Sequence, residues 1–158
     1  MVLEKRQLGG QSGHEAGRRL LADMYQAYTG KPAPAVFTGK RGKPYFKDAD
    51  LYFSISHTRE MVFCVLSEKA VGIDAEAVDR DIKISLAEKI LSPKEMAQFE
   101  KAEDKRLALL TFWVLKEAAG KCTGEGINGY PNHTRFSLDD PRVQVIDNHL
   151  VAVIEDEG

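Results

Sequence analysis

The sequence predicts an α+β fold. Three observations carry that prediction. Helical periodicity is confined to two or three segments, short β-branched runs are separated by turn residues, and a helix followed by short strands occurs twice, around 14–75 and around 104–154. At 158 residues, with 43% apolar and 29% charged side chains, the chain suits one hydrophobic core or two small subdomains sharing one. A formal net charge of −2 gives no global field directed at nucleic acid or an anionic membrane. No run approaches membrane-spanning length, and Met1–Gln7 has no apolar h-region. Two cysteines, Cys64 and Cys122, are too few for a disulfide framework or a cysteine-rich zinc site, which points to the cytoplasm.

The first helix is expected over about 14–28. Ser12 and Glu15 have capping-box spacing, and Ala16, Leu20, Met24 and Ala27 follow the helical period. Gly30 and Pro32 stop it. Ala35-Val36-Phe37 predicts a short strand, followed by the basic loop Lys40-Arg41-Gly42-Lys43-Pro44. Leu51–Ile55, Met61–Leu66 and Ala70–Ala75 read as strands, with Ser67-Glu68-Lys69 closing a hairpin between the second and third. Ser92-Pro93-Lys94-Glu95 is a second capping box with proline at the first helical position. The longest helix is expected from about Asp104 to Lys121, ended by Gly124 and Gly126. Arg135–Leu138, Val143–Ile146 and Leu150–Ile154 complete the strands.

Two segments carry the chemistry. On a strand, Asp74 and Glu76 share a face with Gly72, whose missing side chain leaves room for a ligand. Two adjacent anions repel each other unless a cation or ample water neutralises them. On the long helix, Glu117 and Lys121 are i and i+4, one turn below the sole tryptophan, Trp113. As a surface pair they would contribute only about 0.2–0.5 kcal/mol. A stripe that begins with tryptophan is more simply one that is partly covered, although Trp113 as core with the pair at its rim accounts for it too. Should Asp74, Glu76 and Glu117 converge, the all-oxygen donor set suits Mg2+, or Mn2+, rather than zinc. Lys121 beside such a metal would suit a pyrophosphate oxygen or a leaving group, so the chemistry indicated is phosphoryl transfer. Lys43 in the basic loop, and Ser56 and His57 at a strand end, are further phosphate candidates. Alone, the one reads as a solubilising turn and the other as a structural histidine.

Together these residues resemble a known family. Gly42-Lys43-Pro44, Phe53-Ser54-Ile55-Ser56-His57-Thr58, Val71-Gly72-Ile73-Asp74-Ala75-Glu76 and Phe112-Trp113-Val114-Leu115-Lys116-Glu117-Ala118-Ala119-Gly120-Lys121 follow the order found in 4′-phosphopantetheinyl transferases of the surfactin-synthetase-activating type. The likeness covers roughly 14–128, with a shorter N-terminal portion than is usual. It implies a pseudo-two-fold pair of small antiparallel-sheet plus helix subdomains, about 1–67 and 68–158, within a single domain. It also implies transfer of 4′-phosphopantetheine from coenzyme A to a serine of an apo acyl or peptidyl carrier protein, by a monomer without nucleic-acid or membrane partners. In that reading Asp74, Glu76 and Glu117 bind Mg2+, and Glu117 or a metal-bound water takes the serine proton. Lys121 stabilises the pyrophosphate, Lys43 and Pro44 lie against the nucleotide, and Ser56 and His57 hold its 3′-phosphate. The alternatives are a non-catalytic coenzyme A or carrier-binding module of the same fold and an unrelated Mg2+-dependent phosphohydrolase.

Overall fold

A computed structural model describes residues 1–124 and 134–157. The elements are β1 (Val2–Gln7), α1 (Gly13–Thr29), β2 (Val36–Thr38), β3 (Pro44–Phe46), β4 (Tyr52–His57), β5 (Met61–Ser67) and β6 (Val71–Ala77), followed by α2 (Ala87–Ile90), α3 (Pro93–Lys101), α4 (Lys105–Thr123), β7 (Val143–Ile146) and β8 (His149–Glu155). Every strand pair is antiparallel, in sheets ordered β1-β5-β4, β2-β3 and β6-β8-β7. The expected α+β class is what the chain adopts.

The layers follow from strand alternation. On β5, Val62, Cys64 and Leu66 pack with Ala16, Leu20, Leu21 and Met24 of α1. Met61, Phe63 and Val65 point the other way, onto Val71, Ile73 and Ala75 of β6 and Val151 and Val153 of β8. The opposite face of β8, with Leu150, Ala152 and Ile154, meets Leu110, Val114 and Ala118 of α4. The order is therefore helix, sheet, sheet, helix. β5 lies in the middle and is buried at all seven positions, which its unbroken apolar run already shows.

The helix ends form as their residues dictate. Ser12 accepts from the Glu15 N–H, and Gly30 closes α1 at φ 75°. Ser92 and Glu95 form the full capping box of α3, with Pro93 in its first turn. Asp104 caps α4, which Gly124 ends at φ 81°. Gly126 lies outside the described residues.

Two expected elements are corrected. Ser67-Glu68-Lys69 does not close a hairpin. Both edges of β5 are already taken by β1 and β4, so β6 pairs with β8 and the chain crosses between sheets. Ser67 holds this crossing by accepting from the Lys69 N–H and donating to Glu155. Arg135–Leu138 is not a strand either, because side chains occupy its backbone groups. Glu95 Oε2 accepts from the Phe136 N–H, Gln98 Nε2 donates to the Phe136 carbonyl, and Gln98 Oε1 accepts from the Leu138 N–H. β1 and β3 gave no alternating signal. β1 is an edge strand with four exposed positions, and β3 has three residues beginning with proline. Among the described residues no helix is long and apolar enough to cross a membrane. Both cysteines are free and buried.

A buried ion pair fixes α3 to α4. Lys116 Nζ lies 2.6 Å from Glu95 Oε1, with side-chain exposures of 1% and 0%. Glu95 also accepts from the Ser92 N–H, Thr134 Oγ1 and the Phe136 N–H, so its charge is well solvated by the protein. Removing one partner of such a pair strands the other charge, at a cost of about 3–5 kcal/mol. Lys116→Met is expected to lose stability of that order in urea denaturation, and adding Glu95→Gln is expected to recover part of it. A Lys116→Met protein as stable as the wild type would show that Glu95 is not charged in the fold.

Candidate active site

The site begins where the two main sheets meet. Ladder bonds to β8 occupy one edge of β6, leaving the N–H groups of Ile73 and Ala75 facing β4. Two serines meet them: Ser54 Oγ accepts from the Ile73 N–H at 3.1 Å, and Ser56 Oγ accepts from the Ala75 N–H at 3.0 Å. Lys121 of α4 donates to the carbonyls of Ile55, at 3.3 Å, and Ile73, at 2.9 Å, joining the same two strands.

α4 lies directly on β6 because Gly72 has no side chain. A Cβ there would lie 2.0 Å from the Ala118 carbonyl oxygen and 2.5 Å from the Cys122 nitrogen. The space expected at Gly72 for a ligand thus belongs to the helix. This close approach sets Lys121 beside Asp74, at 3.6 Å from Oδ1. Ser56 Oγ donates to the same oxygen at 3.4 Å. Asp74 Oδ2 is buried and has no hydrogen-bond partner.

That orphaned oxygen is the most unusual group among the described residues. Burial pushes the Asp74 carboxyl up to about 7; Lys121 opposes the shift, while Glu76 and Glu117 add to it. Glu117 is also raised, first by burial and then by Glu76, with Lys121 and Arg80 opposing. Asp74 thus feels the charge of Glu76 and Glu117, and Glu117 that of Glu76. They do not close into a cage, however: among the described residues no three Asp, Glu, His or Cys side chains form a metal-holding group. Glu76 instead meets Arg80, with its Oε1 2.7 Å from Nη1. An unpartnered carboxylate oxygen with two further carboxylates in electrostatic reach fits a hard divalent cation.

Two cavities border this point. One, of about 240 Å3, is lined by Arg41, Lys43, Pro44, Gly120, Lys121 and Gly124 among others. A second, of about 660 Å3, includes His57, Arg59, Glu76, Arg80 and His149. Some of the candidate residues are divided between them, and neither lining includes Asp74 or Glu117. Lys43, Pro44 and Lys121 share the smaller cavity, while His57 and Glu76 share the larger. Ser56 opens on neither, since its hydroxyl serves Ala75 and Asp74 inside the fold. Lys43 donates to the Cys122 carbonyl at the C-terminal end of α4, and burial lowers its pKa. The exposed His57 ring covers Gly13 in the first turn of α1, where a Cβ would come within 2.2 Å of it. An imidazole at a helix N-terminus is a favourable place for an anion.

Arg80 escaped the sequence reading. Its i+4 spacing from Glu76 was visible, but a strand end intervenes, so helical pairing rules gave no reason to join them. The Thr58–His149 contact, 2.9 Å across two sheets, had no sequence signal at all.

An aspartate near 7 in the fold and 3.8 by ordinary value binds a proton on folding across that interval. Protein without bound cation is therefore expected to lose stability relative to Asp74→Asn as pH rises from about 4 to about 7, with no further change above. Urea denaturation of both proteins in chelator checks this. A difference that is flat, or that grows in favour of the wild type, would mean Asp74 is ionised throughout.

The family model of the 4′-phosphopantetheinyl transferase superfamily matches residues 70–154, more than half the chain and the stretch holding β6, α4 and β8. The chain is 34% identical over 107 residues to the 4′-phosphopantetheinyl transferase gsp of Aneurinibacillus migulanus, covering 66% of this chain and 44% of that one. It is 31% identical over 154 residues to a 4′-phosphopantetheinyl transferase of Bacillus subtilis, covering 91% and 65%. To the holo-[acyl-carrier-protein] synthase of Lactobacillus helveticus it is 44% identical over 69 residues, covering 39% and 58%. The chain thus spans about half to two thirds of the length of these relatives. Fold, buried carboxylate and sequence match agree, and the chain belongs to the 4′-phosphopantetheinyl transferase superfamily.

Proposed function

We propose that this chain transfers 4′-phosphopantetheine from coenzyme A to a serine of an apo acyl or peptidyl carrier protein, releasing adenosine 3′,5′-bisphosphate. The observation that supports this reading most is the buried, unpartnered oxygen of Asp74, set between a lysine and two further carboxylates. Names of the relatives point the same way.

Asp74, Glu76 and Glu117 would hold Mg2+, or Mn2+, which when bound neutralises charge on the coenzyme A pyrophosphate. Glu117 takes the proton of the carrier serine. Burial raises its carboxyl above the ordinary glutamate value, which makes it a stronger base than a free glutamate. Lys121 is only one-third exposed and already donates to two carbonyls, so it presents a fixed positive charge to the leaving phosphate. Lys43 and Pro44 border the smaller cavity as a rest for the nucleotide, and His57 offers an anion contact for its 3′-phosphate. Ser56 supports that arrangement from inside, through Asp74. The same reading takes residues 1–158 as a single domain with halves of about 1–67 and 68–158, acting as a monomer in the cytoplasm. A net charge of −2 agrees with partners other than nucleic acid or membrane.

Incubation with apo carrier protein, coenzyme A and Mg2+ is expected to add a phosphopantetheine mass to the carrier. No increment across several carriers, with coenzyme A still bound, would leave a binding module instead. Glu117→Gln is expected to lower turnover at least about 100-fold with unfolding by heat unchanged. Near-normal turnover in that variant would remove Glu117 from the proton transfer.

A further inference from the structure

The larger cavity contains a cation that the proposed reaction does not use. Arg80 places Nη1 2.7 Å from Glu76 Oε1 and its guanidinium carbon 5.8 Å from the centre of the Trp113 ring. It is also among the charges acting on Glu117.

Its backbone is held from three directions. The Arg80 N–H donates to the Ala77 carbonyl, and Arg106 Nη1 on α4 donates to the carbonyls of Val78 and Arg80, both at 2.8 Å. The Val78 N–H donates to the Asn148 carbonyl, in the turn between β7 and β8. With the turn fixed, the side chain meets the carboxylate of Glu76 and the face of Trp113.

We propose that Arg80 is a positioning residue that acts as the resident counter-cation of Glu76, competing with a divalent cation for that carboxylate. This rests on the reading above that Asp74, Glu76 and Glu117 hold the metal. While Arg80 holds Oε1, a divalent cation meets a carboxylate that is already partly neutralised, and use of both oxygens requires the guanidinium to leave. Trp113 gives the departing guanidinium a surface on which to remain, so leaving Glu76 does not return it fully to water. The Arg80 side chain is 41% exposed, and pairs that open to solvent are weak. The competition therefore tunes metal affinity without abolishing it. It also keeps a positive charge beside Glu76 and Glu117 when no metal is bound, where like charges would otherwise repel.

Calorimetric titration of the whole chain with Mn2+, without coenzyme A, tests this directly. Arg80→Gln is expected to bind Mn2+ about two- to fivefold more tightly than the wild type. Arg80→Lys, which keeps the charge but not the planar guanidinium, is expected to fall between them. Arg6→Gln, which removes an equal charge from a distant pair with Asp23, is expected to bind as the wild type does. Unchanged or weaker binding in both Arg80 variants would overturn the proposal while leaving the metal site standing. So would equal tightening in Arg6→Gln, since the effect would then be one of net charge. Wild type, Arg80→Gln and Asp74→Asn all failing to bind Mn2+ would sink the metal reading, and the competition with it.

Discussion

The sheets β1-β5-β4 and β6-β8-β7 meet along β4 and β6 without sharing a ladder. Two serine hydroxyls and one lysine ammonium take the place of strand pairing there. A continuous ladder would have satisfied the same backbone groups more simply. It would also have set β4 and β6 at ordinary strand spacing, with their side chains projecting on the two faces of a single sheet. Side-chain bridging lets the two sheets face each other over Phe63, Val65, Ile73 and Val153 while their edges stay in register. Asp74 then projects from the far side of β6, toward α4. Lys121 belongs to both jobs: it spans the seam through two carbonyls and stands 3.6 Å from Asp74. The site cannot be separated from the joint that holds the halves together.

Two buried carboxylates show how differently a fold can treat the same group. Glu95 has a lysine, a hydroxyl and two backbone N–H groups, and its burial is fully compensated. Asp74 has a distant lysine, a long serine contact and one oxygen with nothing. Compensated burial is the usual condition for a carboxylate in a core. An uncompensated one costs stability, and such sites persist mainly where the exposed need for a partner is used. Lys116 and Glu117 are adjacent in sequence, yet one completes the satisfied network and the other faces the unsatisfied one.

Much of the fold was legible because local chemistry and tertiary structure agreed. Ser12, Gly30, Ser92, Asp104 and Gly124 end their helices as side-chain capping and left-handed glycine require. The central strand β5 announced itself as a continuous apolar run. What was hidden depended on partners remote in sequence. Whether Ser67–Lys69 turned back or crossed over was decided by β1, whose polar residues carry no strand signal, occupying the edge β6 would have needed. Arg135–Leu138 looked like a strand until Glu95 and Gln98 supplied its hydrogen bonds. In the site, the pairing of segments 71–76 and 112–121 was readable from residue types, and the structure packs them together through Gly72. That glycine's purpose was misread, since a missing side chain looks identical whether a ligand or a helix fills its place.

Ser56 is committed inside the fold, which limits what β4 can offer a ligand. With its hydroxyl engaged by Ala75 and Asp74, Ser56 offers a ligand nothing, while Phe53, Ser54 and Ile55 of β4 line the smaller cavity. Lys43 and Lys121 border the smaller cavity, and His57 lies over the first turn of α1 where β4 ends. Asp74 lies 3.6 Å from Lys121, so an anion drawn to that lysine meets a carboxyl as well. A phosphate-bearing ligand in the smaller cavity would meet the positive charge of Lys43 and Lys121 with that carboxyl beside it. When ionised, that carboxylate repels the anion, and a divalent cation on Asp74 would remove the repulsion. Cation and ligand would therefore each favour the other's binding, through a single carboxylate that the serine seam holds in place.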